Sequence, residues 1–207
     1  MSLRGKKKGK MKLNWGERLA VNNPIRPIQQ QLEIEWFRRV LPLSTGGNIL
    51  EVGCGRGVGA SLIHKAFLPS QLHIQDLDIE MIRKAKYRYA PSEKKGVTVS
   101  VGDATHLSFK TGTFDAVFGF GILHHVPDWR AALREIVRVL KTGGIYFVEE
   151  IFPSLYQNMI TKHILLHPKE DRFQSADLRE AFDRAHMPLK ASFELPKLGI
   201  LAVAVKP

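Results

Sequence analysis

Between residues 48 and 150 the hydrophobic and polar positions of this chain alternate between two rhythms. Short apolar runs stop abruptly at glycine, aspartate or glutamate, and the stretches between them place apolar residues at helical spacing. Ile49 to Val52, Leu72 to Asp76, Val97 to Val101, Phe114 to Phe120 and Ile145 to Glu149 read as strands. Their near-continuous apolar character belongs to strands covered on both faces, which predicts an α/β fold with a parallel sheet and helices between successive strands. Helices are predicted over Val58 to Phe67, with Leu62, Ile63, Ala66 and Phe67 available for packing, and again from Ile79 and from Ser175. Pro24 to Leu41 patterns as a further helix with Ile28, Leu32, Trp36, Phe37 and Val40 near one face, ended by Pro42 and Gly46-Gly47. Lys190 to Leu195 and Ile200 to Val205 are β-like runs joined by Pro196-Lys-Leu-Gly199, a link too short for a crossover, so they predict an antiparallel hairpin.

The sharpest break in the pattern is Asn48-Ile-Leu-Glu-Val-Gly-Cys-Gly-Arg-Gly-Val-Gly59, where an apolar run gives way to glycine at every second position. Gly53, Gly55 and Gly57 lack a Cβ, so this loop can turn tightly with positive φ and bring its amides against a ligand. The following helix points its N-terminus at the same place, which suits a carboxylate or a pyrophosphate. A dinucleotide fingerprint counted from Gly53 and Gly55 requires glycine or alanine where Val58 stands. The frame Gly55-Arg-Gly57-Val-Gly-Ala60 fits that fingerprint but begins beyond the strand end, so a nicotinamide oxidoreductase is the second reading of the loop.

Ile49-Leu-Glu-Val-Gly-Cys-Gly-Arg-Gly57 resembles motif I of the class I S-adenosylmethionine-dependent methyltransferases. Gln71 to Asp78 resembles their second strand with its terminal acid, Val101-Gly-Asp-Ala104 their adenine-side loop, and Phe114 to Val126 their fourth strand and the loop after it. Ala131 to Gly144 is similar to the helix and turn before their fifth strand, in the small-molecule and quinone methyltransferase-like subgroup. The resemblance implies a doubly wound, mostly parallel seven-stranded sheet of order 3-2-1-4-5-7-6 ending in an antiparallel hairpin. It further implies S-adenosyl-L-methionine as cofactor and S-adenosyl-L-homocysteine as product.

On the same resemblance, Gly53, Cys54, Gly55 and Gly57 line the cofactor, and Glu51 meets its methionyl ammonium. Asp76, beside Leu77, takes the ribose. Asp78 competes for that role but has a sufficient one of its own, as N-cap of the helix beginning at Ile79. Asp103 and Ala104 face the adenine, with a turn aspartate bonded to nearby backbone as the plainer reading of Asp103. Backbone around Gly119 neighbours the sulfonium. Asp115 begins a strand and stands away from the carboxyl-end crevice, so its role is structural.

Composition bounds the rest. A chain of 207 residues, 44% hydrophobic, builds one core and has no room for a second full domain. The expected organisation is a basic tail over residues 1–23 and one methyltransferase domain over 24–207, with an N-terminal helix in 24–47 and a lid or acceptor-side insert in 152–174. No apolar run approaches the length of a spanning helix, and the cytoplasm is the expected compartment. Cys54 is the only cysteine, which excludes an internal disulfide and a cysteine-rich metal site, and no metal is expected. The net charge of +11 is concentrated in Arg4, Lys6, Lys7, Lys8, Lys10 and Lys12, a run most often solvated, with nucleic acid or an anionic membrane as alternatives.

Methyl transfer needs alignment of acceptor and donor, and a base only where the acceptor must lose a proton. His124 and His125 follow the fourth strand, on the side where an acceptor enters; adjacent residues diverge, so one of the two is expected to point inward as base or positioning group. His163 and His167 stand at helical i, i+4 spacing in a stretch from Pro153 that is also amphipathic, and the wall of an acceptor pocket is the better reading than a metal site. Phe118-Gly-Phe-Gly stands where exocyclic-amine methyltransferases carry a Pro-Pro element, which disfavours base methylation of that type. A small-molecule acceptor, apolar or quinone-like, leads; an RNA methyltransferase and a non-catalytic cofactor-binding protein follow.

Overall fold

The computed structural model describes residues 25–88, 96–156 and 171–207. The basic tail, His163, His167 and most of the expected 152–174 insert lie outside the described residues. In chain order the elements are α1 (Arg26–Val40), β1 (Asn48–Val52), α2 (Val58–Phe67), β2 (Gln71–Asp76), α3 (Ile79–Arg88), β3 (Val97–Val101) and β4 (Phe114–Phe120). A single 3-10 turn, Leu123–His125, leads into α4 (Trp129–Val139), and then follow β5 (Leu140–Ile151), α5 (Pro153–Tyr156), α6 (Ser175–Arg184), β6 (Leu189–Leu195) and β7 (Gly199–Val205).

The seven strands lie in the order β3-β2-β1-β4-β5-β7-β6, as expected. All neighbours are parallel except β7, which runs antiparallel to both β5 and β6. The period-two alternation of the strands divides their side chains between two cores. Leu50, Val52, Val117, Tyr146 and Val148 pack with α4 and α6. Ile49, Phe118 and Phe147 pack with α1, α2 and α3. The second core is strongly aromatic: Phe118 stacks on Phe147 at 4.5 Å between ring centroids, and Phe37 of α1 sits 5.1 Å from Phe147. Strand order reverses between β1 and β4, and this opens the crevice at the carboxyl edge of the sheet where doubly wound folds hold ligands.

Three features differ from the sequence pattern. The inner face of α1 is not the expected stripe: Gln30, Glu33, Ile34 and Phe37 are buried, while Ile28 and Leu32 stand 62% and 69% exposed. Apolar residues occur on two sides of this helix, and Phe37 together with the ion pairs of Arg26 and Glu33 decides which side faces inward. No helix links β3 to β4. Residues 102–113 cross as irregular chain, tied to α4 by Arg138, whose guanidinium donates to the carbonyls of Leu107 and Phe109, and by Glu135, which accepts from the Leu107 amide. Strand β5 begins early, at Leu140 opposite Phe114, then jumps register to Ile145 opposite Ala116. Lys141 in that jump reaches Asp115 at 2.7 Å, and Asp115 also accepts from the Asn48 amide, which gives it the structural role expected.

Because Phe37 joins α1 to three sheet aromatics, Phe37→Ala is expected to cost about 3–5 kcal/mol in urea unfolding. Ile28→Ser on the outer side of the same helix should stay within about 0.5 kcal/mol of the parent.

Candidate active site

The glycine loop after β1 takes the conformation its composition requires: Gly53, Gly55 and Gly57 have φ of 73°, 52° and 76°. The amides of Gly53 and Cys54 both donate to the Gln75 carbonyl, at 2.9 and 3.0 Å, so the loop is fastened to the end of β2. A Cβ on Gly53 would stand 2.6 Å from Ile122 Cδ1, which shows how closely the loop after β4 lies over it. One on Gly59 would stand 2.2 Å from Glu51 Oε1, so a bare α-carbon in the first turn of α2 leaves room for that carboxyl.

Glu51 is buried, accepts from the Ala60 amide, and has an Oε2 without a hydrogen-bond partner. Burial, and then the nearby charge of Asp76, push its carboxyl up to about 8. Asp76 closes the neighbouring strand: its Oδ2 accepts from the Gly55 amide at 2.9 Å and its Oδ1 from the Asp78 amide at 2.8 Å. Burial raises the Asp76 carboxyl, and these amides work against the rise. Asp78 accepts from the Glu80 amide in the first turn of α3, the capping role that separates it from Asp76. The Gly102 amide donates to the Asp76 carbonyl, which brings Asp103 and the buried Ala104 alongside, with Leu77 between the two acids. Asp103 accepts from both the amide and the hydroxyl of Thr105, as a turn aspartate does. Gly119, in β4, lies against Tyr146 Oη, 2.6 Å from where its Cβ would be. Cys54 is buried and its thiol is pushed up by burial, so it fills space.

Hydrogen bonds thus join the loop of Gly53, Cys54, Gly55 and Gly57 to the end of β2 at Gln75 and Asp76, with Leu77 next in chain, and Asp76 to the Gly102 segment that carries Asp103 and Ala104, while Glu51 and Gly119 lie on the adjoining strands β1 and β4. The histidines correct one expectation. His124 and His125 do not diverge: their rings lie 4.2 Å apart, because the residues sit on a 3-10 turn and not on an extended strand. His124 is buried with Nδ1 2.7 Å from Glu150 Oε2, and His125 is half-buried. Burial, and then the charge of Arg26, lower the His124 imidazole to about 3, so it is neutral at pH 7.

The sequence pattern passed over four charged residues here. Glu150 is fully buried and accepts from the amides of Ile122, Leu123 and His124, at 3.1, 2.7 and 3.3 Å. Burial still pushes it up to about 8. Arg26 of α1 pairs with Glu149 at 2.7 Å and with Glu33 at 3.1 Å, and burial followed by the charge of Glu149 pushes Glu33 up to about 7. Two consecutive acids closing an otherwise apolar strand were the available signal. Among the described residues, no group of three or more His, Cys, Asp or Glu is placed to hold a metal ion.

The raised carboxyl of Glu51 has a consequence for stability. Between 4.5 and about 8 the folded chain holds a proton there that the unfolded chain releases, so this contribution is complete below pH 4.5 and disappears as pH rises through 8. Glu51→Gln should therefore unfold at a higher urea concentration than the parent at about pH 9, with the difference shrinking toward about pH 5.

Residues 50–148 match the methyltransferase domain family. The phthiotriol/phenolphthiotriol dimycocerosates methyltransferase of Mycobacterium tuberculosis is 34% identical over 120 residues, 58% of this chain and 43% of that protein. A ubiquinone/menaquinone biosynthesis C-methyltransferase of Desulfotalea psychrophila is 37% identical over 99 residues, 47% of this chain and 39% of that protein. The chain therefore matches less than half the length of these curated relatives. A crystal structure of a SAM-dependent methyltransferase from Aquifex aeolicus shares the fold at a TM-score of 0.74 and 15% identity, over 96% of this chain and 100% of that one. Ordered motifs, strand order and sequence similarity agree that residues 50–148 carry a methyltransferase domain of the class I S-adenosylmethionine-dependent type.

Proposed function

We propose that the protein transfers a methyl group from S-adenosylmethionine to a small apolar acceptor of quinone or lipid type. The observation that carries the cofactor is the buried Glu51 carboxyl, whose Oε2 has no partner beneath a glycine loop held open by three positive φ angles. A buried acid without a partner is costly, and a cationic ammonium supplies the missing one. A Cβ at Gly53 would meet Ile122 and one at Gly59 would meet Glu51, so bare backbone is what a ligand meets here.

When bound, S-adenosylmethionine supplies a methyl group on a cationic sulfur. The chain's own residues bind, orient and exclude water. Glu51 receives the methionyl ammonium, and Asp76, already fixed by two amides, keeps lone pairs for the ribose hydroxyls. Asp103, Ala104 and Leu77 border the adenine, the side-chain-free backbone of the glycine loop lets the methionyl end approach closely, and backbone at Gly119 lies by the sulfur. His124, neutral and tied to Glu150, backs the more accessible His125, which is placed to orient or deprotonate an acceptor.

The acceptor side is a narrow cleft between this turn and residues 171–173. Leu123, His124, Val126, Trp129 and Phe173 line it together with the charged Asp171 and Arg172, and the Trp129 and Phe173 rings lie 4.6 Å apart. Residues 171–173 border this cleft, and its Trp129 and Phe173 rings favour an apolar acceptor. The similarity to quinone-biosynthesis and dimycocerosate methyltransferases agrees with that class.

Calorimetric titration should give micromolar-range binding of S-adenosylhomocysteine and no heat with NADH. Asp76→Ala should weaken the former about 10- to 100-fold, the loss of hydrogen bonds to a charged group. NADH binding without S-adenosylhomocysteine binding would overturn the reading.

A further inference from the structure

The two faces of the sheet are dressed differently. Helices α1, α2 and α3 cover one face and carry eight Arg or Lys against three Glu. Helices α4 and α6 on the other carry five Arg against four Asp or Glu. On α3, Arg83, Lys84, Lys86 and Arg88 are exposed, and Tyr87 beside them is 89% exposed. On α1, Ile28 and Leu32 protrude from the side opposite Phe37, among Arg38, Arg39 and a single acid, Glu35, that both arginines pair with. Farther along the same face the edge strand β6 exposes Phe193, whose partner Leu201 packs into the core shared with α1. The six cations of residues 4–12 lie upstream of α1, separated from it by residues 13–25.

Aliphatic side chains protruding from a basic face are the features of a protein that rests on a bilayer interface. An exposed tyrosine fits the same setting, with an apolar ring and a polar tip. A single-stranded nucleic acid is instead held by rows of aromatic platforms between cations, and α1 offers Ile28 and Leu32 in that place. The position of α1 adds a reason. Its N-terminal residue Arg26 pairs with Glu149 at the carboxyl edge of β5, so the protruding side chains stand next to the mouth of the crevice.

We propose that the face formed by α1 to α3 docks on an anionic lipid surface, Ile28 and Leu32 entering the headgroup region while flanking Lys and Arg residues meet lipid phosphates. The crevice then opens toward the layer in which apolar acceptors dissolve. Docking goes beyond the cofactor reading, and either can fail while the other stands.

The test is sedimentation of the full chain with phosphatidylcholine vesicles, with mixed phosphatidylcholine and phosphatidylglycerol vesicles, and with polyuridylate as the nucleic-acid arm. The parent should bind the mixed vesicles at least ~10-fold more tightly than the neutral ones and lose that preference at high salt. The Ile28→Ser, Leu32→Ser double variant should bind mixed vesicles ~10-fold or more weakly. Its S-adenosylhomocysteine affinity and urea midpoint should be unchanged, which shows that it is folded. Glutamine at positions 4, 6, 7, 8, 10 and 12 should lower the same binding ~10-fold or more. Absence of binding to mixed vesicles, or binding that the double variant retains in full, overturns the proposal. Tighter binding to polyuridylate than to mixed vesicles, indifferent to Ile28 and Leu32, overturns it in favour of a nucleic-acid surface.

Discussion

The loop after β4 has its shape because one carboxyl group with no access to water demands it. Glu150 ends its strand fully buried, and a carboxyl there is tolerable only where donors are gathered around it. The amides of Ile122, Leu123 and His124 supply them, and the His124 ring shares a further hydrogen bond with the same carboxyl. That set of bonds winds the chain into a 3-10 turn, which lays Ile122 over Gly53 and stacks His124 on His125. The glycine loop and the acceptor-side histidines are therefore placed by the same acid.

Helix α1 completes the crevice through a second buried charge set. Arg26 spans Glu33 in its own helix and Glu149 beside Glu150, so the helix is registered on the carboxyl edge by charge as well as by Phe37. Removing one partner from such a set leaves the others buried without compensation. The apolar residues of α1 that this arrangement turns outward are the same ones that give the α1 to α3 face its protruding aliphatic groups. Packing on the inside and the character of the surface outside follow from one choice of helix rotation.

Strand order was legible only through the family resemblance; the strand segments, the hairpin, the glycine loop and the separation of Asp76 from Asp78 were legible in the residues themselves. Each depends on neighbours in sequence: the apolar period, the four-residue link at Pro196, glycine where φ must be positive, and an aspartate two residues before a helix amide. The crossover at 102–113 was not legible as irregular chain, because Arg138 and Glu135, far along in sequence, satisfy its backbone groups where a helix would have done so internally. The pairing of the histidines was misread for a similar reason. Divergence follows from extended backbone, and the turn that replaces it is imposed by an acid on another strand.

The sequence alone thus determined which chain segments are strands and where the glycine turn lies, since local period and glycine placement are properties of adjacent residues. Only the tertiary structure decided which side of α1 is buried, that Glu149 and Glu150 are both interior, and that Arg26 and His124 meet them. Those outcomes rest on the cost of burying charge, and that cost is set by partners brought together from residues 26, 33, 124, 149 and 150 through space.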